Sequence, residues 1–190
     1  MLARVGSQCG ASVVILLVGV AVVALAQDRW ETANAAVRRL PPAAFPQLPP
    51  RIRSALEGRG CLIPQNYSDA HPHNVVHGQF ARPGQIDWAV LCSRRDTSTI
   101  LVFWRGAADS VAELAPAADR NYLQEMPEGI VYSRGLGVAD ARYIRQHYAR
   151  YGGPSPPPLD HDGIDDGFEG KASEVHYSYR GRWLTLTGAD

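Results

Sequence analysis

The chain has 190 residues, enough for one domain of ordinary size or one domain with a short appendage. Nineteen Lys plus Arg balance nineteen Asp plus Glu, which argues against a protein built chiefly to coat nucleic acid or an anionic membrane. An apolar fraction of 45% with 20% charged residues is globular composition and excludes a disordered chain.

Residues 1–26 read as a signal peptide. Arg4 gives a positive start, residues 11–25 are an uncharged apolar run, and Ala24-Leu25-Ala26 is a small-x-small cleavage site ahead of Gln27. The competing reading is an uncleaved anchor, but the run falls short of the roughly 20 residues that span a bilayer. The expectation is a periplasmic or secreted protein with no stable membrane span after cleavage. Cleavage removes Cys9 and leaves Cys61 and Cys92. In an exported compartment such a pair is expected to form a disulfide, with two buried free thiols as the alternative.

Residues 27–60 read as a helical and Pro-rich N-terminal arm. Residues 28–40 have helical propensity, with Asp28 as cap and Arg38 and Arg39 at the negative end of the dipole. Pro41, Pro42, Pro46, Pro49 and Pro50 predict an extended spacer over 41–50, or a segment that a partner recognises. A short helix follows at 51–58, closed by Gly58 or Gly60.

Residues 61–190 read as a single α+β domain. Residues 75–80, 86–92 and 99–104 are expected strands. In the second, Ile86, Trp88, Val90 and Cys92 share one face. The third is apolar on both faces, which places it in a sheet centre. Residues 105–120 read as a loop with one helical turn, and 129–134 as a short strand. The glycines of Arg134-Gly135-Leu136-Gly137 read as a turn. Residues 140–151 form the clearest helix: Asp140 caps it, Ile144, Tyr148 and Tyr151 line one face, and Gly152-Gly153 ends it. A Pro-rich linker at 153–159 leads to a C-terminal hairpin, 174–179 and 183–187 about a turn at 180–182. Its alternation points Val175, Tyr177 and Tyr179 inward, and Glu174, His176 and Ser178 toward water or a partner. The fold class is α+β: a small antiparallel β-sheet domain with a few peripheral helices, after an N-terminal signal peptide.

The sharpest local feature is Asp160-His161-Asp162-Gly163-Ile164-Asp165-Asp166. Carboxylates spaced about a glycine can wrap a hard cation, so Asp160, Asp162 and Asp166 are candidate calcium ligands. The alternative is a solvated turn whose acids cap local backbone amides. This segment resembles the Asp-Gly-x-x-Asp turns of FG-GAP and VCBS-type β repeats. A degenerate second copy stands at Gly84-x-x-Asp87, where a strand follows at once. The resemblance implies a structural calcium; a full propeller is excluded by length. The whole chain also resembles a group of exported bacterial proteins from which no activity follows.

His71, His73 and His77 offer nitrogen ligands for a transition metal, although Pro72 breaks the regular spacing a shared site would need. There is no G-x-S-x-G, S-x-x-K, H-E-x-x-H or P-loop. The aromatics Trp88, Trp104, Tyr132, Tyr177, Tyr179 and Trp183 read as core, or as an exposed strip for sugar or peptide. The sequence therefore reads as an exported, non-enzymatic binding or structural module of the bacterial envelope or exterior, stabilised by calcium. Its partner is a protein or envelope ligand and not nucleic acid. The alternatives are a metal-dependent hydrolase using His71, His73 and His77, and a small inhibitor of an envelope enzyme.

Overall fold

The computed structural model describes residues 29–190, so the expected signal peptide, its expected cleavage site and the expected Asp28 cap lie outside the described residues. Helix α1 covers residues 29–36 and is shorter than the expected 28–40. Val37 N–H closes its last turn on Asn34 O, and Arg39 then turns back, its Nη1 donating to the Asn34 and Val37 carbonyls. Its Nη2 reaches buried Asp119 at 2.8 Å, which pulls Arg39–Leu40 out of the helix and into strand β1.

The proline segment is core, not spacer. A 3₁₀ turn at Pro42–Ala44 and helix α2, Pro50–Gly58, present Phe45, Leu48, Ile52 and Leu56 inward, and Phe45 has no exposure at all. Two apolar anchors between the prolines outweigh the polyproline preference, because burying each is worth roughly 1.5–3 kcal/mol. α2 begins with Pro50 at its first position, where no N–H is needed. It ends in a Schellman motif: Gly60 N bonds Glu57 O, Cys61 N bonds Leu56 O, and Gly60 takes the left-handed φ of 67°.

Two four-stranded antiparallel sheets follow. The first has the order β3 (Val75–Gly78), β4 (Asp87–Arg94), β5 (Thr97–Phe103), β6 (Val111–Ala118). The second has the order β12 (Arg182–Thr187), β11 (Ala172–Tyr179), β10 (Gly163–Phe168), β9 (Arg134–Ala139). The small pair β1–β2 (Ile63–Pro64) and the hairpin β7 (Leu123–Met126) with β8 (Gly129–Tyr132) complete the strands. Helix α3, Ala141–Tyr151, connects β9 to β10.

Three hydrophobic clusters stack these elements into four layers. Arm and α2 side chains meet Val90, Cys92, Leu101 and Phe103 on one face of the first sheet. Ala89, Leu91, Ile100, Val102 and Leu114 on its other face meet Ile164, Leu136 and Trp183 of the second sheet. Val175, Tyr177 and Leu186 on the far face of the second sheet meet Ile144 of α3. β4 and β5 are therefore buried on both sides, which is why β5 reads as apolar on both faces. The Cys61–Cys92 disulfide links the end of α2 to β4.

Several elements differ from the sequence expectation. Residues 111–118 form edge strand β6 rather than a loop. An edge strand tolerates Pro116, and a register shift opposite Ser98–Ile100 leaves Ala115 at φ 44°. Residues 134–139 form β9 rather than a turn, and Gly135 leaves room for a neighbour there: a Cβ on it would sit 2.8 Å from Asn66 Nδ2. The acidic segment is no free loop, since Gly163 onward is β10. The C-terminal hairpin turns on Arg180 (φ 51°) and Gly181 (φ 73°), the left-handed pair that a two-residue turn requires. The α+β class and its mostly antiparallel sheets stand. Among the described residues, no helix is long and apolar enough to cross a membrane.

Candidate functional site

The β3–β4 and β5–β6 loops lie at the same end of the first sheet, and Trp104 stacks on Trp183 of β12 at 5.6 Å and 18°. One buried carboxylate organises this end. Asp87, without exposure, accepts from Ala81 N at 3.0 Å through Oδ2. Its Oδ1 accepts from Gln85 Nε2 at 2.7 Å and from Arg105 N at 2.8 Å. The other end of the Gln85 carboxamide accepts from Arg105 Nε at 3.1 Å. Arg105 sits at φ 53°, ψ 25°, a left-handed conformation that a residue with a Cβ adopts only when its surroundings hold it there.

The result is a cleft in two joined parts. One, of about 700 Å³, is lined by Arg82, Pro83, Gly84, Gln85, Ile86 and Arg105. The other, of about 440 Å³, shares Gln85 and Arg105 and adds Ala81, Trp104, Ala107, Ser110 and Ser178. Ile86, expected to share one face of the strand with Trp88, Val90 and Cys92, lies before β4 and is 50% exposed on the cleft wall. Arg82 and Arg105 have no acidic partner within 4 Å among the described residues. Chain order marks Asp87 through the Gly84-x-x-Asp87 turn. It gives no sign of Arg105, which the fold brings to Gln85 from 20 positions away.

The three candidate calcium ligands take separate partners. Asp160 is largely exposed, 3.3 Å from the Tyr177 hydroxyl. Asp162 Oδ2 accepts from Gln79 N at 2.9 Å, and Asp162 N donates to Gln79 O at 3.0 Å. The acidic segment is thus tied to the start of the β3–β4 loop. Asp166 is buried between the sheets, where Arg134 Nε and Nη2 grip it at 2.8 and 2.7 Å. Burial alone would raise its carboxyl, but hydrogen bonds from Arg134 and His176 and the guanidinium charge hold it below the usual carboxylate range.

The histidines likewise part company. His71 is exposed beside Asp69 at 3.2 Å. His73 Nε2 accepts from Asn66 N at 2.7 Å, and His77 packs on Trp88 at 4.9 Å. Among the described residues, no group of three or more His, Cys, Asp or Glu side chains is placed to share a metal ion. His176, expected to face water or a partner, is buried 3.5 Å from Asp166, because β11 is covered on both faces.

A second cleft, of about 400 Å³, lies beside β10 and β11 and is bordered by Asp165 and Ser173. Burial raises the Asp165 carboxyl, hydrogen bonds from Ser173 and Tyr143 offset part of that rise, and the Asp166 charge adds to it. Asp165 Oδ1 and His147 Nδ1 are both buried without a hydrogen-bond partner among the described residues. In comparison with known proteins, the chain matches no family model, no curated protein and no solved structure.

Proposed function

We propose that the protein is an exported binding module of the bacterial envelope or exterior, holding a protein or envelope ligand in the cleft between the β3–β4 and β5–β6 loops. The observation that carries this reading is the wall of that cleft. Ile86, half exposed, stands beside Arg82 and Arg105 and near the indole of Trp104, while the faces of both sheets are covered by packed layers. Apolar surface framed by cationic and hydroxyl groups is what a recognition surface needs. Loops carried at one end of a rigid sandwich are a common place for such surfaces. The disulfide supports an oxidising compartment.

The test is an amide-resolved titration of the protein with solubilised envelope fractions, each divided into protease-treated and glycosidase-treated halves. Shifts confined to residues 79–86 and 104–110, and lost in Trp104→Ala, are expected. Shifts from no fraction, or shifts only at the opposite end around Arg95 and Asp96, would overturn the reading.

A further inference from the structure

We propose that this cleft takes a carboxylated saccharide, with Arg105 as the fork that receives the carboxylate. The proposal rests on the binding-module reading and narrows it to a ligand class.

Arg105 is oriented before any ligand arrives. Its backbone N–H is bonded to buried Asp87, and its Nε is bonded to Gln85 Oε1. Gln85 is in turn anchored to the same Asp87 oxygen, whose carboxylate also holds Ala81 N. Asp87 therefore fixes the main chain of Arg105 directly and its side chain through one carboxamide. Nη1 and Nη2 make no hydrogen bond among the described residues and lie on the wall of the cleft. A guanidinium with its Nε pinned and its terminal nitrogens open is a preorganised donor pair for a carboxylate.

The surrounding charge favours an anion. The three turns at this end carry exposed Arg82, Arg105, Arg180 and Arg182 against exposed Asp109, with exposed Asp160 next to them across His161 and Ser178. Attraction of this kind speeds encounter with a polyanion.

The polar groups of the wall favour a saccharide over an extended peptide. Peptides that add to a protein by strand pairing need open backbone donors and acceptors. Here several of the loop amides are already used. Gly84 N is bonded to Gln79 Oε1, Gln85 N to Arg82 O and Ala107 N to Trp104 O. Beside them the wall offers side-chain chemistry: the hydroxyls of Ser110 and Ser178, the indole of Trp104 and the guanidinium fork. Hydroxyls and an aromatic wall suit a ring bearing both hydroxyls and C–H faces. Each part of the cleft is in the size range of small-ligand sites.

The experiment titrates the protein, followed by amide shifts and calorimetry, with galacturonate and glucuronate trisaccharides. The same sugars as methyl esters and a glutamate tripeptide are the comparisons. At least one acid trisaccharide is expected to shift residues 81–86 and 104–110, with its ester and the peptide weaker by about tenfold or more. Arg105→Lys should weaken the acid sugar by about tenfold, since a point charge replaces the fork. Gln85→Leu should weaken it several-fold because the Arg105 Nε loses its anchor, and Asp109→Asn should bind at least as well as the parent. The amide spectrum of each variant checks that it is folded. No shift with either acid sugar, equal binding of ester and acid, peptide binding as tight as sugar, or full affinity in folded Arg105→Lys and Gln85→Leu would each overturn the proposal. If an envelope fraction still shifts the same amides in that case, the saccharide assignment falls while the binding-module reading stands.

Discussion

Arg134 of the second sheet donates through Nη2 to the carbonyl oxygen of Ala115 in the first, at 2.8 Å. The same guanidinium donates to Ser98 O and Oγ through Nη1, grips Asp166 with Nε and Nη2, and lies 4.5 Å from the centre of the Tyr122 ring. One side chain without solvent exposure thus joins three strands across the sandwich and fixes the irregularity in β6. A cation this deep is tolerated because its charge is paired and its donors are directed at oxygens.

Removing one partner of that pair should be far costlier than removing both. Arg134→Met is expected to lower unfolding stability by about 3–5 kcal/mol, because Asp166 is left charged and buried. The double variant Arg134→Met/Asp166→Leu should cost less than the sum of the single changes. Urea unfolding of the four proteins in a double-mutant cycle measures this directly.

Two neighbouring carboxylates should give opposite pH responses. Asp166 is held below its ordinary value of 3.8, so its contribution is present above that pH and is lost as pH falls through its lowered folded value. Asp165 is raised above 3.8 by burial, so its ionisation opposes folding above its folded value and stops doing so on acidification. Asp165→Asn is therefore expected to stabilise the protein at neutral pH, with a gain that shrinks toward pH 4. Asp166→Asn should destabilise at neutral pH, with a loss that shrinks in strong acid. Denaturant midpoints between pH 3 and 7 check both signs.

The disulfide closes a loop with a sequence separation of 31 residues. The paired Cys61→Ala/Cys92→Ala variant is expected to lose about 3.5 kcal/mol by the chain-entropy relation. Thermal unfolding before and after reduction should show a fall of similar size in the parent and none in the variant.

Asn74 is buried at φ 69°, and its carboxamide behaves as a short length of strand. Nδ2 donates to Arg134 O at 3.1 Å and to Pro64 O at 2.6 Å, while Oδ1 accepts from Leu136 N at 2.8 Å. Asn74→Ala loses these bonds and must also hold a left-handed backbone. Asn74→Gly loses the same bonds without that strain, so it should be the more stable of the two by about 1 kcal/mol. Both should fall about 2 kcal/mol or more below the parent. Calorimetric melting orders the three.

What could be read from the chain were features written in a few neighbouring residues. The Arg180-Gly181 turn, the cap of α3 by Asp140 (accepting from Tyr143 N at 2.7 Å) and the two-sided apolar run of β5 are all local signals. What stayed hidden depends on partners far along the chain. β9 looks like a turn until Asp165 lies beside Gly137 and Asn74 closes its edge. His176 alternates with Tyr177 as an outward residue should, but a second sheet waits on that side. The cleft is half-legible for the same reason: Asp87 follows a recognisable turn, whereas Arg105 gains its meaning from Gln85 across a loop.

The break in β6 also bears on how copies of the molecule behave toward one another. An outer strand with a continuous row of free donors and acceptors is a template for unwanted strand addition. Here Pro116 removes a donor, and the carbonyl of Ala115 is turned inward to Arg134. A second chain approaching along β6 meets an interrupted ladder. The buried arginine that binds the sheets together therefore also keeps this border unsuitable for polymerisation.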